Sequence, residues 1–170
     1  MRFEEFAERA EAIESLSGDH EKTEAVAELL SDADETEVVA RFVQGRVFAA
    51  WDETKLDVGP ALLYGALALA ADVDADGIEE LVAETGGVGE AASRLNLGGQ
   101  QTFGSGAETV GDVYGSLSSV AEGSGEGSEE KKKRELANLF IGSSSRAAKY
   151  LARLVLGEMR LGVGEGTVRE

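Results

Sequence analysis

Residues 143–157 read SSSRAAKYLARLVLG, and this stretch decides the class of fold that the sequence predicts. Ser143 or Ser144 can cap a helix at its N-terminus, and Gly157 can end it. Apolar residues between them recur at intervals of three and four and so share one helical face: Ala147, Ala148, Leu151, Leu154 and Val155. The stretch therefore predicts an amphipathic helix between a serine cap and a glycine stop.

The same spacing recurs along most of the chain, which predicts an all-α fold. Residues 61–71 are apolar nearly all round, a pattern typical of a buried central helix. No segment alternates polar and apolar residues convincingly over five positions. Further stripes of helical period occupy the segments 3–16, 26–30, 38–48, 78–82, 110–121 and 136–141.

Helix ends and one irregular segment are also predicted. Asp34, Asp76 and Ser128 are the predicted N-caps of three helices, and Glu129 and Glu130 suit the first turn after Ser128. The segment 86–106 is rich in Gly, Gln, Ser and Thr. It predicts a short helix over 91–95, followed by a loop or a small ribbon through residues 102–103.

Length and composition exclude several classes of protein. A chain of 170 residues has the size of one domain and needs no disulfide or metal to complete its core. The absence of Cys excludes disulfides, thiolate zinc sites and cysteine nucleophiles, and the single His20 excludes paired-histidine metal sites. The longest apolar stretch is too short to span a bilayer, and residues 1–5 do not have the pattern of a signal peptide. We therefore expect a cytoplasmic protein.

The charge is large and unevenly distributed. The 33 acidic and 16 basic residues give a net charge of −17, which favours adaptation to a salt-rich cytoplasm over an ordinary acidic protein. Residues 1–130 carry seven basic and twenty-nine acidic residues, whereas residues 131–170 carry nine basic and four acidic ones. A basic end on an acidic chain suggests an anionic partner, nucleic acid first. The alternative is a basic helix that pairs with its own acidic body.

Two turns echo each other, LDVGPALL at 56–63 and LGVGEGTV at 161–168. Each follows one amphipathic segment and opens another, so we predict two pseudo-repeated helical halves. A glycine before a helix lets backbone N–H groups reach a phosphate, and the helix dipole favours the negative charge. The segment 123–128, before the lysines at 131–133, offers a third such site. Ordinary helix connections would give the same pattern without any ligand.

The last third of the chain resembles the end of the DNA-binding domain of archaeal and eukaryotic ATP-dependent DNA ligases. The resemblance is carried by SGEGS at 124–128, AKYLAR at 148–153 and LGEMRLGVGEGTV at 156–168, which fits the pattern L-G-x-x-R-x-G-x-x-x-x-T-V. GVGEAA at 87–92 and LDVG at 56–59 are similar to two earlier turns of the family. The resemblance covers the whole chain in order and points to a haloarchaeal source.

The resemblance implies a single helical DNA-binding domain over residues 1–170, which grips the minor groove and phosphate backbone of nicked duplex DNA. The parent enzyme would use ATP and Mg²⁺ to seal nicks in replication, recombination and repair. This domain would hold no catalytic residue, metal or cofactor, because Lys55 has Val58 where the family's nucleophilic K-x-D-G motif has glycine. The residues implied near the phosphates are Gly59, Gly89, Gly125, Ser128, Lys132, Gly157, Arg160, Gly162, Gly164 and Thr167.

The sequence is also compatible, to different degrees, with functions other than DNA binding. A stand-alone acidic helical module that binds protein is the alternative, and a sliding clamp is a further candidate partner of an otherwise monomeric domain. A complete small enzyme is disfavoured, because His20 is isolated and no Ser–His or paired-acid arrangement has a catalytic spacing. Trp51 and Tyr64 are interpreted as packing residues rather than as platforms for bases.

Overall fold

The computed structural model describes residues 1–49, 51–97, 109–123 and 127–163. Within these ranges the regular elements are helices, and one isolated antiparallel bridge joins Arg2 to Thr109. The all-α prediction is confirmed. In chain order the helices are α1 (Phe3–Ser15), α2 (Asp19–Asp32), α3 (Thr36–Val43), α4 (Pro60–Ala71), α5 (Ala75–Thr85), α6 (Val88–Ser93), α7 (Val110–Glu122), α8 (Ser128–Phe140) and α9 (Ser145–Leu156). None of the helices in the described ranges is long and apolar enough to cross a membrane.

The helix at the centre of the molecule is α9. It packs against α1, α4 and α6, and most of its residues are buried, Tyr150 and Leu151 among them. Next to it, Phe6 of α1 and Phe42 of α3 meet edge to face with their ring centroids 6.0 Å apart. The stretch that predicts the fold class therefore also forms the middle of the core.

The helix α4 was predicted to be central, and this prediction is wrong. It packs mainly against α8 and α5 and leaves Leu69 50% exposed. Because apolar residues occur on every side of this helix, its sequence does not indicate which face is covered. The absence of a side chain at Gly65 serves close packing, since a Cβ there would lie 3.0 Å from Cδ of Lys133.

Several helix ends differ from prediction by one to five residues. The helix α3 ends at Val43, because the chain turns away at Gly45 with a left-handed φ of +79°. The short helix α6 begins at Val88, earlier than predicted. Ser144 caps α9 as predicted, and its Oγ accepts a hydrogen bond from the Ala147 amide at 3.1 Å. The N-caps of α3, α5 and α8 are Glu35, Asp74 and Gly127, in place of Asp34, Asp76 and Ser128.

A nearly buried arginine joins three helices around α9. Arg153 is 3% exposed and donates to Glu14 of α1 and Glu90 of α6, both at 2.6 Å. The Tyr150 hydroxyl donates to the same Glu14 oxygen at 2.6 Å. Burial alone would raise the pKa of Glu14, but the hydrogen bonds from Tyr150 and Arg153 outweigh it, so its pKa lies below the ordinary value. This network holds α6 and the end of α9 in a fixed relation.

Candidate nucleic-acid interface

A groove of about 720 Å³ opens between the N-terminal ends of α4 and α8. These helices run side by side in the same direction, because Gly59 and Ser128 line the groove at their starts and Gly65 contacts Lys133 further along. The structure thus brings together three of the predicted contact residues, since Lys132 lines the same groove. They come from segments about seventy residues apart in the sequence.

Both helix starts leave backbone donors available to the groove. The N-caps are Gly59 and Gly127, so no side chain caps the first turn of either helix. In α4 the first residue is Pro60, which has no N–H, and the donors left without a helical partner are the amides of Ala61 and Leu62. Each helix N-terminus also carries a partial positive charge. A Cβ at Gly59 would meet no atom within 4 Å, so this side of the turn is open to an incoming group.

Lys132 is the buried cation of the groove. It is only 6% exposed, and its stem packs over Gly123, where a Cβ would lie 3.2 Å from the lysine Cε. Among the described residues its ammonium has no hydrogen-bond or ion-pair partner, whereas the neighbouring Lys133 binds Glu130 at 2.8 Å. The low exposure belongs mainly to the aliphatic stem, because no side-chain nitrogen of the described residues is both fully buried and without a hydrogen-bond partner. The ammonium therefore reaches the groove, where a group of opposite charge can pair with it. Lys132 is therefore placed to meet an anion.

The groove is not strongly positive overall. Asp57 and Glu129 line it together with Lys132 and Lys133. The hydrogen bond from Lys133 lowers the pKa of Glu130 below its ordinary value and so keeps this pair ionised. An anion would consequently be held by local donors, the helix N–H groups and Lys132, rather than by a broad positive field.

A second predicted region lies around the end of α9. The helix ends at Gly157 with φ of +71°, and the Glu158 amide donates back to the Arg153 carbonyl at 2.8 Å. Arg160 follows with an unusual left-handed φ of +59° and an exposed side chain. Its guanidinium lies near the start of α6, since a Cβ at Gly87 would be 3.5 Å from its Nη1.

The turn after α3 is built in the same way as the turn after α9. Arg41 Nε donates to the carbonyl of Val47 at 3.2 Å, and Arg153 Nη1 donates to the carbonyl of Met159 at 3.4 Å, six residues on in both cases. Asp57 and Gly162 occupy the same place in the two echoing turns, and both have positive φ, +55° and +73°.

The two turns also touch through their glycines. A Cβ at Gly45 would lie 3.2 Å from the carbonyl oxygen of Gly157, and a Cβ at Gly157 would lie 3.5 Å from that of Gly45. A side chain at Gly45 would be crowded by this backbone, whereas at Gly157 the space is sufficient and the left-handed φ of +71° is what favours glycine. Arg41 and Arg153 are not among the predicted site residues, although both begin an R-x-V-x-G pattern, at 41–45 and 153–157.

One predicted contact residue, Gly89, lies in the protein interior, and three others fall outside the described ranges. Gly89 is buried in α6, and a Cβ there would lie 2.7 Å from Nε of Arg153, so close packing of α6 on α9 accounts for this glycine. Gly125, Gly164 and Thr167 lie outside the described residues, as does the predicted ribbon at 102–103.

Trp51 does not have the packing role that the sequence analysis assigned to it. Its side chain is 85% exposed, on the loop between α3 and α4. The polar residues 52–55 that follow it, with no helical period, were the signal that pointed to a surface position.

The fold and the site define an all-helical domain whose glycine-opened helix ends and buried lysine suit an anionic ligand. The family model described as DNA ligase N terminus matches residues 2–170. The chain belongs to this family of DNA ligase N-terminal domains.

Curated relatives agree with this assignment and confirm the resemblance found in the motifs. The chain is 52% identical to a DNA ligase from Natronomonas pharaonis and covers 33% of that protein with its whole length. It is 48% identical to a DNA ligase from Haloferax volcanii, again over its whole length and 31% of the relative. A DNA ligase 2 from Methanosarcina acetivorans is 40% identical over 99% of the chain and 31% of that relative. The chain thus spans about a third of the length of these relatives.

Proposed function

We propose that residues 1–170 form the DNA-binding domain of an ATP-dependent DNA ligase from a salt-loving archaeon. The observation that carries the proposal is the groove between α4 and α8, where two helix N-termini meet Lys132, which forms no ion pair with any other described residue. A DNA phosphate in this groove would accept hydrogen bonds from the free N–H groups and neutralise the lysine.

The domain would grip duplex DNA at two related places, one in each helical half. The matching turns after α3 and α9 support such halves, since they share the arginine contact and the left-handed glycine. In this arrangement Arg160, Gly157 and Gly162 would serve a second stretch of backbone. Contacts to phosphates position DNA and carry little sequence information, which suits an enzyme that must accept any nick.

The contribution of this domain to sealing would be orientation. A duplex held on both sides of a nick keeps its two ends in line, which lowers the entropic part of the barrier to joining them. In the parent enzyme ATP would supply the adenylyl group that activates the 5′-phosphate, and Mg²⁺ would stabilise the negative charge.

The residues of this chain do not fit that ATP and metal chemistry. The sequence contains no K-x-D-G motif, and across the described ranges no group of three or more His, Asp and Glu side chains could hold a metal ion. We therefore expect the chain to bind nicked duplex DNA and to catalyse nothing by itself. A monomeric state, a cytoplasmic location and contact with a sliding clamp belong to the same proposal.

The test is the binding of a labelled nicked duplex to the purified chain at several KCl concentrations, followed by fluorescence anisotropy. We expect saturable binding with equal affinity for DNA of unrelated sequences. The logarithm of the affinity should fall linearly with the logarithm of the KCl concentration, because binding releases counterions from the DNA. Lys132→Ala should weaken this binding, because it removes the lysine that lines the groove. Lys131→Ala is the matched control, because Lys131 is exposed and does not line the groove. Absence of binding even at low KCl would contradict the proposal and favour a protein-interaction module.

A further inference from the structure

The loop between α3 and α4 places one large aromatic side chain in solvent. Trp51 is the single tryptophan of the chain and is 85% exposed. Folded proteins usually cover so large an aromatic surface, and tryptophan is enriched where proteins contact their partners. The exposure of the indole therefore suggests that a binding partner covers it.

Both ends of this loop are held at the regions proposed to grip DNA. Its start, Gly45, packs on the backbone of Gly157, and its end, Gly59, lines the groove between α4 and α8. A cleft of about 450 Å³ separates the loop from the end of α9 and is lined by Arg46, Lys55 and Gly157. The loop thus connects the two regions along the chain, and Trp51 lies near its middle, six residues after Gly45 and eight before Gly59.

The charged residues of this loop are compatible with a DNA contact. Arg46 and Lys55 are exposed and form no ion pair within the described part of the chain. The Asp52 carboxylate is turned to the loop itself, where it accepts a hydrogen bond from the Thr54 amide at 2.9 Å. The negative charge of Glu53 partly offsets the positive charges of Arg46 and Lys55. We therefore expect the loop to contribute to binding mainly through the apolar area of the indole.

We propose that Trp51 is a DNA contact, whose indole covers the duplex backbone between the α4–α8 groove and the Gly157 turn. The inference rests on the proposed function and adds to it a residue that the family motifs do not single out. The ring offers a flat face to a sugar or a base and one N–H donor to a phosphate oxygen.

Because Trp51 is the sole tryptophan, its emission reports on this contact directly. Acrylamide quenching is measured with and without a saturating nicked duplex, at a KCl concentration where labelled DNA is shown to bind. We expect the quenching constant to fall about twofold, as when a largely exposed ring becomes half covered. Unchanged quenching at saturation would overturn the inference and leave the proposed function standing.

The affinity of Trp51→Ala provides the second measurement. We expect binding to weaken about fivefold, near the lower end of what aromatic contacts to nucleic acids contribute, with Trp51→Phe in between. Leu69→Ala removes an exposed apolar side chain elsewhere and should leave the affinity unchanged. Equal affinities for Trp51→Ala and Leu69→Ala would contradict the contact. A wild-type chain that binds no duplex at all would instead overturn the proposed function, and the inference with it.

Discussion

Arg160 combines two features that rarely occur together in a residue without a function. Its backbone has a left-handed φ of +59°, which non-glycine residues adopt at a cost, and its guanidinium is exposed beside the start of α6. Among the described residues, its one ion-pair partner is Glu158, two residues before it, at 3.7 Å. A strained backbone that presents a loosely held cation fits a contact to phosphate.

The role of Arg160 predicts a change in salt dependence. In Arg160→Ala, DNA binding should weaken and the slope of log affinity against log salt should decrease by about one, because one phosphate contact is lost. Arg94→Ala is the control, since Arg94 is exposed and outside both proposed regions. An Arg160→Ala slope equal to that of Arg94→Ala would remove Arg160 from the interface.

Gly127 is the N-cap of α8, and its replacement is expected to change stability in a defined direction. Its φ of +78° makes any side chain strained although the surrounding space is open, so Gly127→Ala should lower the free energy of unfolding by about 1–2 kcal/mol. Gly115→Ala is the matched control, because Gly115 lies inside α7 with ordinary φ and open space. That substitution should stabilise by up to about 1 kcal/mol. Urea denaturation measures both, and a stabilising Gly127→Ala would show that the turn is not left-handed.

At the scale of helices, periodicity predicted the elements well and their ends less well. The position of α9 was predicted well, because its apolar residues recur at intervals of three and four while Arg146 and Lys149 lie between them. The end of α3 was missed, because Val47 and Phe48 continue its apolar spacing beyond the turn at Gly45. The cap at Asp74 was misplaced because Asp76 is an equally good capping residue two positions later.

Part of the candidate site could also be predicted from the sequence. The family motifs name Gly59, Ser128 and Lys132, but only the parallel packing of α4 on α8 brings them into one groove. Long-range contacts of this kind leave no local signal. The burial of Lys132 and the exposure of Trp51 likewise depend on neighbours that the sequence does not reveal.

The network that joins α1, α6 and α9 predicts a pH dependence. The pKa of Glu14 is lower in the folded chain than its ordinary value, so its carboxylate stabilises the fold above the unfolded pKa. That stabilisation is lost as the pH falls through the folded pKa, in the range below about 4.

The melting temperature should therefore fall on acidification below about pH 4, and should fall less steeply in Glu14→Gln. Glu28→Gln is the control, since it removes an exposed carboxylate of α2 and the same unit of charge. Calorimetry from pH 3 to 7 compares the three proteins. Identical profiles for Glu14→Gln and Glu28→Gln would show that the network does not link to folding.

At the scale of the whole molecule, salt should act on folding and on DNA binding in opposite directions. The net charge of −17 destabilises the compact state through self-repulsion, which KCl screens. The melting temperature should rise between low and molar KCl, while the affinity for DNA falls. Thermal scans and anisotropy titrations in the same buffers measure both. A flat or falling melting temperature would contradict the assignment of the charge to salt adaptation.

In the proposed interface, Lys132 in the groove between α4 and α8 pairs with a DNA phosphate. Lys132→Met keeps the length and packing of the stem over Gly123 and removes the charge. One experiment measures the free energy of unfolding and the DNA affinity of this variant beside those of Lys131→Met. We expect Lys132→Met to leave the free energy of unfolding within about 1 kcal/mol of the wild-type value, because the apolar stem is kept, and to weaken DNA binding about tenfold, because one phosphate contact is lost. Unchanged DNA affinity in Lys132→Met, or the same result in both variants, would contradict the account.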